Sequence, residues 1–229
     1  MMRECEDHGY FRDEFCPVCG EEGKFLMSDF EVEKLGRTMA GILRHGKYDL
    51  DMDEQGFIDM RDIVSVMKAK YPRMKWIRTH HIEAMVETDP KGRYQISGGD
   101  VRATYGHTIE ELNLRHPVDD IPETLYYPTT EEKCEEILNE GLFPTDRAMV
   151  HLSRTYKDAM KAGSVREDGD PIILAIDTAG CIDAGIEIGR AAKTVFLCDQ
   201  VPSEFIYVAD EEEDEDSYDE ESTEEDEDL

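Results

Sequence analysis

Basic side chains are scarce in this chain. Its 229 residues include 25 lysines and arginines against 55 aspartates and glutamates, which gives a formal net charge of −30. A protein that binds nucleic acid over a broad surface needs a cationic face to meet the phosphates. The composition therefore argues against a general nucleic-acid binder. It predicts that arginines which meet a polyanion are gathered in one confined cleft.

Long hydrophobic runs are also missing. No stretch approaches the roughly 18 apolar residues that a membrane-spanning helix requires. The first residues are charged and include Cys5, so they lack the pattern of a signal peptide. We therefore expect a cytoplasmic protein that has no membrane partner.

The acidic residues are concentrated at one end of the chain. Residues 210–229 contain 15 acidic side chains, no basic one and a single aromatic residue, Tyr218. Such a segment cannot bury enough apolar area to offset the entropy of ordering. We predict that it is a disordered acidic tail. The rest of the chain is still acidic, with 40 acidic against 25 basic residues.

Cysteine is infrequent, but its placement near the amino terminus is informative. Cys5 and His8 form one pair with two residues between them, and Cys16 and Cys19 form a second. This spacing lets a tight turn present both members of a pair to one tetrahedral ion, usually zinc. With all four ligands supplied by protein, the predicted zinc knuckle, residues 1–26, is structural. Three further cysteines are expected to be reduced thiols in core segments: Cys134, Cys181 and Cys198.

The next segment predicts three helices followed by a hairpin. The first helix is capped by Ser28 or Asp29 and ends at Arg44 and His45, before Gly46. Basic residues at that end of a helix can mean nothing more than favourable capping. Helices are predicted over residues 60–70 and 78–87, and strands over residues 93–96 and 101–105. This order is typical of a winged-helix domain, here residues 27–118, with His80 and His81 expected to face solvent.

The remaining segment, residues 119–209, predicts a strand-rich domain. Five short apolar segments have the composition of strands: residues 124–127, 149–152, 172–176, 194–198 and 205–208. Two amphipathic stretches, residues 131–140 and 156–162, predict helices. The chain as a whole is predicted to be an α+β protein.

Four separated positions carry side chains suited to phosphate chemistry. Two pair an arginine with a histidine, Arg44 with His45 and Arg102 with His107. The third is His151 with Ser153, and the fourth is Arg166 alone. An arginine offers a fixed cationic fork that matches phosphate oxygens, and a histidine can carry a proton near neutral pH. The clusters therefore point to an active site that handles a phosphoryl group. Helix capping or solvation at the surface would not explain why all four clusters occur in one chain.

At this point the sequence resembles the RNA 2′-phosphotransferases, over roughly residues 30–209. The matching segments appear in the family's order: residues 43–45, 52–57, 87–94, 101–108, 150–153, and 195–197 leading to 201–202. The resemblance implies a winged-helix domain followed by an ADP-ribosyltransferase-like domain that holds NAD. The active site would lie in the cleft between them.

The resemblance also implies the reaction. An internal RNA 2′-phosphate, such as one at a tRNA splice junction, attacks C1 of the nicotinamide ribose of NAD and expels nicotinamide. The ribose 2″-hydroxyl then attacks the phosphorus of the RNA–phospho–ADP-ribose intermediate. The products are RNA with a free 2′-hydroxyl and ADP-ribose 1″,2″-cyclic phosphate. A monomer without DNA-specific binding is expected.

Residue roles follow from the resemblance. Arg44, Arg102 and Arg166 would clamp the phosphate. His45 would assist the second step, either as a base for the attacking hydroxyl or by orienting it. Two residues would hold the RNA phosphate, His107 and Arg93. The NAD pocket would be lined by Tyr126, Tyr127, Thr129, His151, Leu152 and Ser153.

The sequence departs from the family pattern at two places. Tyr127 stands where much of the family has a histidine expected to bind a ribose, and its hydroxyl could replace that contact. Extra residues surround Arg166, which leaves Arg154 and Arg190 as alternatives. Two other functions remain open: ADP-ribosylation of a terminal nucleic-acid phosphate, and non-catalytic RNA binding by a zinc-containing protein.

Overall fold

We describe the fold from a computed structural model, which covers residues 1–109, 112–164 and 171–210. The amino-terminal segment forms a small antiparallel sheet that the sequence did not predict. Its strands are β1 (Met2–Cys5), β2 (Gly9–Phe11) and β3 (Lys24–Met27), in the order β2-β1-β3. Phe11 packs with Cys5 and Cys16, which gives this unit a small apolar core of its own.

The first helix, α1 (Asp29–His45), begins and ends where the sequence predicts. The hydroxyl of Ser28 accepts a hydrogen bond from the main-chain N–H of Glu31, and the Glu31 carboxylate accepts one from the N–H of Ser28. At the other end Gly46 adopts φ 59°, a left-handed conformation that favours glycine. These two signals fix the helix so that Arg44 and His45 form its last turn.

Two more helices and a three-stranded sheet complete this part of the molecule. The elements are β4 (Ile58–Asp59), α2 (Met60–Lys70), α3 (Thr79–Glu87), β5 (Tyr94–Ser97) and β6 (Asp100–Ala103). The sheet order is β4-β6-β5, all antiparallel, and a short 3-10 turn (Pro72–Met74) precedes α3. The predicted helices and hairpin are confirmed, whereas β4 was not predicted. One apolar core joins the sheet to all three helices.

The prediction for His81 was wrong. The side chain is 7% exposed, and its Nδ1 accepts a hydrogen bond from the main-chain N–H of Arg78. Its ring also packs edge-on against Trp76. Burial is the main reason why the pKa of His81 falls to about 4. A polar residue in the first turn of a helix can be buried when it caps that turn, which hydrophobic periodicity does not reveal.

The second part of the chain is built on a six-stranded antiparallel sheet with the order β10-β11-β8-β7-β9-β12. Its strands are β7 (Thr124–Thr129), β8 (Val150–Ser153), β9 (Ile172–Asp177), β10 (Gly189–Arg190), β11 (Val195–Cys198) and β12 (Ile206–Val208). The helices are α4 (Glu131–Glu140), α5 (Tyr156–Ser164) and α6 (Thr178–Asp183). All five predicted strands and both predicted helices are present. The sequence missed α6 and β10. The expected mixture of helices and strands is therefore confirmed.

The two faces of this sheet carry different residues. Leu125 and Leu152 lie on the face that packs on the larger core with Phe196. Tyr126 lies on the opposite face, where it contacts Tyr156 of α5. Alternation along the strands therefore divides the residues predicted to line the NAD pocket between two faces.

Strands β7 and β8 are neighbours for only a short distance. β7 pairs with β9 along its whole length, but its register with β8 includes one pair, Tyr126 and Ser153. The two strands therefore separate beyond this pair, and Tyr127 and His151 line a small cavity at that end.

Contacts join the six-stranded sheet to the helical part. The main-chain N–H of Arg190 donates to the carbonyl oxygen of Pro117 at 2.7 Å, and that of Ala148 donates to the carbonyl oxygen of His107 at 3.4 Å. No helix of the described residues is long and apolar enough to cross a membrane.

Candidate active site

The end of α1 places Arg44 against the segment that follows β6. Its guanidinium carbon lies 4.8 Å from the ring centroid of Tyr105. A Cβ at Gly106 would lie only 3.3 Å from that guanidinium carbon, so glycine with φ 82° allows the close approach. Nε and Nη2 of Arg44 are buried and have no hydrogen-bond partner among the described residues. A half-buried cation whose Nε and Nη2 are buried without a partner among the described residues is suited to an anionic ligand.

Arg102 is held on strand β6 by neutral acceptors. Its Nε donates to the side chain of Gln95 at 2.9 Å, and its Nη1 donates to the carbonyl oxygen of Gln55 at 3.1 Å. The guanidinium carbon lies 4.7 Å from the ring centroid of Phe57. These contacts fix the orientation of the side chain, and no carboxylate among the described residues is hydrogen bonded to it.

His107 lies near both arginines. It is 3% exposed, and neither ring nitrogen has a hydrogen-bond partner among the described residues. Its pKa falls to about 4, first because of burial and then because of nearby positive charge on Arg44, His116, Arg102 and His45. Two permanent cations, Arg44 and Arg102, and two further imidazoles, His45 and His116, therefore lie near this buried imidazole.

His45 is the exposed member of this group. Its Nδ1 is hydrogen bonded to the hydroxyl of Thr108 at 3.1 Å. The main-chain N–H of Thr108 in turn donates to the carbonyl oxygen of Arg44 at 3.0 Å. The imidazole is therefore oriented through one nitrogen, which leaves Nε2 to face a ligand.

Arg93 has a different environment from the other predicted phosphate-binding residues. Its guanidinium donates to Asp89, with Nη2 to Oδ1 at 2.7 Å, and its main-chain N–H donates to Oδ2 at 2.6 Å. The Asp89 carboxylate is fully buried. Burial would raise the pKa of Asp89, but the hydrogen bonds from Arg93 hold it below its ordinary value. Much of the hydrogen-bonding capacity of Arg93 is thus already used.

We call Arg44 and Arg102 the arginine cluster. Tyr105 connects this cluster to the six-stranded sheet. Its ring meets that of His151 edge-on, with centroids 6.1 Å apart. Nδ1 of His151 donates to the carbonyl oxygen of Met149 at 2.9 Å. Arg44 and His151, which come from different parts of the chain, therefore contact the same tyrosine.

The residues predicted to line the NAD pocket are only partly brought together. Tyr127 and Thr129 line a cleft of about 550 Å³, and Tyr127 also borders the small cavity that contains His151. The hydroxyl of Thr129 is buried and has no hydrogen-bond partner among the described residues. The other members are largely buried in the sheet: Tyr126 (5% exposed), Leu152 (1%) and Ser153 (9%).

Arg166 lies outside the described residues. Both alternatives to it are engaged elsewhere. Arg154 pairs with Asp120 at 3.5 Å, and Arg190 pairs with Asp119 at 3.4 Å and with Asp120 at 3.6 Å. These pairs involve exposed aspartates and are weak, so they do not by themselves exclude either arginine from binding a ligand.

Sequence reasoning overlooked three residues of this site. Tyr105 and Gln55 lie within segments that carry the family resemblance, so a signal for them was present. His116 was not singled out, although burial and the charge of Arg102 lower its pKa to about 4. Only its proximity to Arg102 in the fold reveals His116.

The four predicted metal ligands converge at the amino terminus. Their ligand atoms all lie within 4.8 Å of one another. The Cys5 sulfur is 3.4 Å from Nδ1 of His8 and 3.8 Å from the Cys19 sulfur, and the Cys16 sulfur is 3.6 Å from the same nitrogen. Bond lengths of about 2.0–2.3 Å to a tetrahedral zinc ion require separations of roughly 3.5–3.8 Å. The cluster can therefore bind zinc.

The amino-terminal unit that carries this cluster contacts the end of α3 through Arg12. Nε of Arg12 donates to the hydroxyl of Thr88 at 2.9 Å. Backbone hydrogen bonds, chiefly from Cys19, lower the pKa of the Cys16 thiol to about 7, which favours a metal-binding thiolate.

Comparison with known proteins identifies the family. Residues 31–200 match the model of the RNA 2′-phosphotransferase, Tpt1 / KptA family. The chain belongs to this family. A protein of Thermoplasma acidophilum named "Probable RNA 2′-phosphotransferase" is 42% identical over 214 residues, which cover 93% of this chain and 89% of that protein. A protein of the same name from Methanosarcina mazei is 37% identical over 210 residues, covering 91% and 99% of the two chains. One from Pyrococcus furiosus is 38% identical over 175 residues, covering 76% and 93%.

Proposed function

We propose that this protein is an NAD-dependent RNA 2′-phosphotransferase that removes an internal 2′-phosphate from RNA, such as one left at a tRNA splice junction. The observation that carries the proposal is the group formed by Arg44, Arg102 and His107. Arg102 is buried and Arg44 is half-buried, and both lie near an imidazole whose nitrogens have no partner among the described residues. Membership of the RNA 2′-phosphotransferase family supports the same substrate.

The arginine cluster would bind the 2′-phosphate. The free donors of Arg44 can each take a phosphate oxygen, and Arg102 is held in place by Gln55 and Gln95 to neutralise further charge. His107 can donate one hydrogen bond as a neutral imidazole. A bound dianion would favour its protonated form, which adds a second donor. Arg166 completes the clamp by resemblance.

NAD is the acceptor substrate in this proposal: its nicotinamide ribose takes the phosphate at C1 as nicotinamide leaves, and its 2″-hydroxyl then attacks the phosphorus. The products are RNA with a 2′-hydroxyl and ADP-ribose 1″,2″-cyclic phosphate. His45 would act in the second step through Nε2, either as the base for that hydroxyl or as the group that orients it. The arginines would stabilise the negative charge that develops on the phosphorus oxygens.

The cleft beside β7 fits a nucleotide. Its volume of about 550 Å³ lies in the usual range of roughly 300–1,000 Å³ for small-molecule sites. The unpaired hydroxyl of Thr129 and the nearby ring of Tyr127 offer a polar and an aromatic contact. His151 lies on the side that faces Tyr105 and the arginines. Tyr126, Leu152 and Ser153 are buried enough that main-chain groups would make most of their contacts.

The finer structural predictions belong to the same proposal. Residues 27–118 would be a winged-helix domain that binds the RNA phosphate. Residues 119–209 would be an ADP-ribosyltransferase-like domain that binds NAD. Residues 1–26 would hold a structural zinc ion. We also propose that the protein is a cytoplasmic monomer.

The direct test is to incubate the protein with a short RNA that carries an internal 2′-phosphate, with and without NAD, and to follow phosphate loss and nicotinamide release. NAD-dependent formation of 2′-hydroxyl RNA and cyclic-phosphorylated ADP-ribose is expected. Accumulation of an RNA–ADP-ribose adduct would show that the second step fails. ADP-ribose transfer to a terminal phosphate, or RNA binding without turnover, would replace the proposal with one of the alternative functions.

Zinc removal tests the structural assignment of the metal cluster. Chelation should lower the thermal stability of the amino-terminal sheet, because the cluster contributes most of what holds so small a unit together. Turnover should persist in protein that remains folded, and Cys19→Ser should reproduce both effects. Immediate loss of turnover with unchanged circular dichroism would instead assign the metal to catalysis.

A further inference from the structure

One face of α1 carries basic and aromatic side chains. Phe30, Lys34, Arg37 and Gly41 follow one another at intervals of three or four residues, so they lie along a single stripe. His45 continues the same stripe at the next interval. The helix buries its opposite face, which carries Val32, Leu35, Met39, Ile42 and Leu43. The stripe thus leads along the surface to the candidate active site.

Two tyrosines lie beside this stripe and collect further cations. The hydroxyl groups of Tyr48 and Tyr71 are hydrogen bonded at 2.5 Å. The amino group of Lys34 lies 5.9 Å from the Tyr71 ring centroid, and those of Lys47 and Lys70 lie 5.1 and 5.9 Å from the Tyr48 centroid. Lysines are therefore gathered around aromatic rings at this point, in a chain whose net charge is −30.

These residues form a groove of about 320 Å³, which we call the α1 groove. It is lined by Phe30, Lys34, Arg37, Thr38, Gly41, Lys47 and Tyr71. Three of these seven residues are cations, and no lining residue is acidic. Glu33 does lie beside the groove, where it forms an exposed ion pair with Arg37. Such surface pairs are weak, so a phosphate can compete for the arginine.

The surface that adjoins the α1 groove at Lys47 has the reverse charge. A second groove there is lined by Lys47 together with Asp49, Asp51, Asp53 and Glu54. Four carboxylates would repel a phosphodiester backbone. An extended polyanion that leaves the candidate active site is therefore favoured along the α1 groove and disfavoured along this one.

Exposed aromatic surface adds a second kind of contact. Phe30 is 67% exposed, although burial of a phenylalanine side chain would contribute about 1.5–3 kcal/mol. It stands at the far end of the α1 groove, roughly 22 Å from His45 at a rise of 1.5 Å per residue. A cationic track with aromatic side chains is the pattern that binds single-stranded nucleic acid through phosphates and stacked bases.

We propose that the α1 groove binds the single-stranded RNA that flanks the 2′-phosphorylated nucleotide. This inference rests on the proposed function, because the flank is defined by the phosphate held at Arg44. Lys34, Arg37 and Lys47 neutralise backbone phosphates, and Phe30 stacks on a base. The α1 groove thus gives a strongly acidic protein a local means of holding an RNA strand.

The first experiment measures binding of a single-stranded RNA that has only 2′-hydroxyl groups, by fluorescence anisotropy at several salt concentrations. The variant is Lys34→Ala/Arg37→Ala, and the matched control is Lys24→Ala/Arg61→Ala, which removes the same charge at exposed sites outside the α1 groove. We expect about tenfold weaker binding and a salt slope smaller by roughly 1 in the groove variant only. Equal losses in both variants would overturn the proposal.

The second experiment separates this inference from the proposed function. Parent and groove variant are compared on a 2′-phosphorylated dinucleotide, which is too short to occupy the α1 groove, and on a longer RNA with the same modified nucleotide. We expect unchanged kcat/KM on the dinucleotide and an increased KM on the longer RNA. If the parent and the groove variant have the same kinetics on each of the two substrates, RNA binding by the α1 groove is rejected and the proposed function is unaffected. If the parent has no transferase activity, the proposed function fails, and the binding experiment still decides the groove.

A third variant tests the aromatic contact. Phe30→Ala should weaken RNA binding by about fivefold or more without changing the salt slope, because stacking involves no counterion release. The side chain is exposed, so the variant should fold normally, as thermal unfolding would show. Competition by a polyglutamate peptide as strong as that by RNA would overturn the proposal in favour of an acidic protein segment.

Discussion

Arg93 and Arg44 lie close together in the fold but have opposite surroundings. Arg93 donates several hydrogen bonds to the buried carboxylate of Asp89. Arg44 packs against Tyr105 and Gly106, and its Nε and Nη2 have no partner among the described residues. Both are arginines of segments that resemble the same family. The structure distinguishes an arginine whose charge is already neutralised from one whose charge is left for a ligand.

The same distinction separates two buried histidines. His81 and His107 both have a pKa of about 4, and burial is the main cause in each. His81 accepts a hydrogen bond from the N–H of Arg78, so its burial stabilises the start of α3. His107 has no such partner among the described residues and lies near Arg44 and Arg102. A depressed pKa alone therefore does not distinguish the two histidines, whereas the unmet hydrogen-bonding groups of His107 near two arginines make it the better candidate for ligand binding.

The largest expected effect is on turnover in Arg44→Ala. Removal of this cation should lower kcat by about a hundredfold or more, equivalent to roughly 2.7 kcal/mol of transition-state stabilisation. The free energy of unfolding should stay the same or rise, because a buried charge with unmet donors costs stability. Steady-state kinetics and urea unfolding measure the two effects. Arg102→Ala should behave similarly in turnover.

The control for Arg44→Ala is Arg61→Ala, which removes an exposed arginine at the start of α2. It should leave both turnover and stability close to those of the parent. Near-normal turnover in folded Arg44→Ala protein would remove this arginine from the site and with it the contrast with Arg93.

The second prediction concerns Arg93→Ala, which should act mainly on stability. The change leaves the Asp89 carboxylate buried without its guanidinium partner and should cost about 2 kcal/mol. Asp89→Asn/Arg93→Ala should recover part of this loss, because the buried charge is then gone. Denaturant unfolding of Arg93→Ala, Asp89→Asn and the double variant gives the coupling free energy between the two residues. A hundredfold loss of turnover at unchanged stability would show instead that Arg93 holds the RNA phosphate, as the sequence predicts.

Much of the fold could be predicted because its signals are local. The first helix has a capping box at Ser28 and a left-handed glycine at Gly46, and both fixed its limits. The strands of the large sheet were recognised by apolar segments. β10 has two residues and α6 has six, so neither is long enough for its periodicity to be recognised.

The candidate site was predicted in part, and the reason lies in long-range packing. Arg44, Arg102 and His107 were found because residue type and family resemblance point to phosphate chemistry. The neutralisation of Arg93 by Asp89 depends on how the turn before β5 folds. The contribution of Tyr105 depends on where His151 lies, 46 residues further along the chain. No pattern within a short segment encodes such contacts.

The smallest effect should appear in the pH dependence of stability. His107 has a folded pKa of about 4, below the ordinary value of 6.5. Between these values the unfolded chain binds a proton that the folded chain does not, so the free energy of unfolding decreases as the pH falls from 6.5 toward 4. In His107→Asn this decrease should be smaller by on the order of 1 kcal/mol between pH 7 and pH 5. Urea unfolding at both pH values measures it.

A bound phosphate ligand should change the protonation of His107 but not that of His81. A 2′-phosphorylated RNA bound by Arg44 would favour the protonated form of His107 and reduce its share of the pH dependence. His81 lies beside Trp76 and the start of α3, so its share should not change. The quantity compared is the change in the free energy of unfolding between pH 7 and pH 5. We expect the difference in this quantity between parent and His107→Asn to shrink when the RNA is present. The corresponding difference between parent and His81→Asn should stay constant. If the RNA reduced both differences equally, general stabilisation by binding would explain the result and His107 would not face the phosphate.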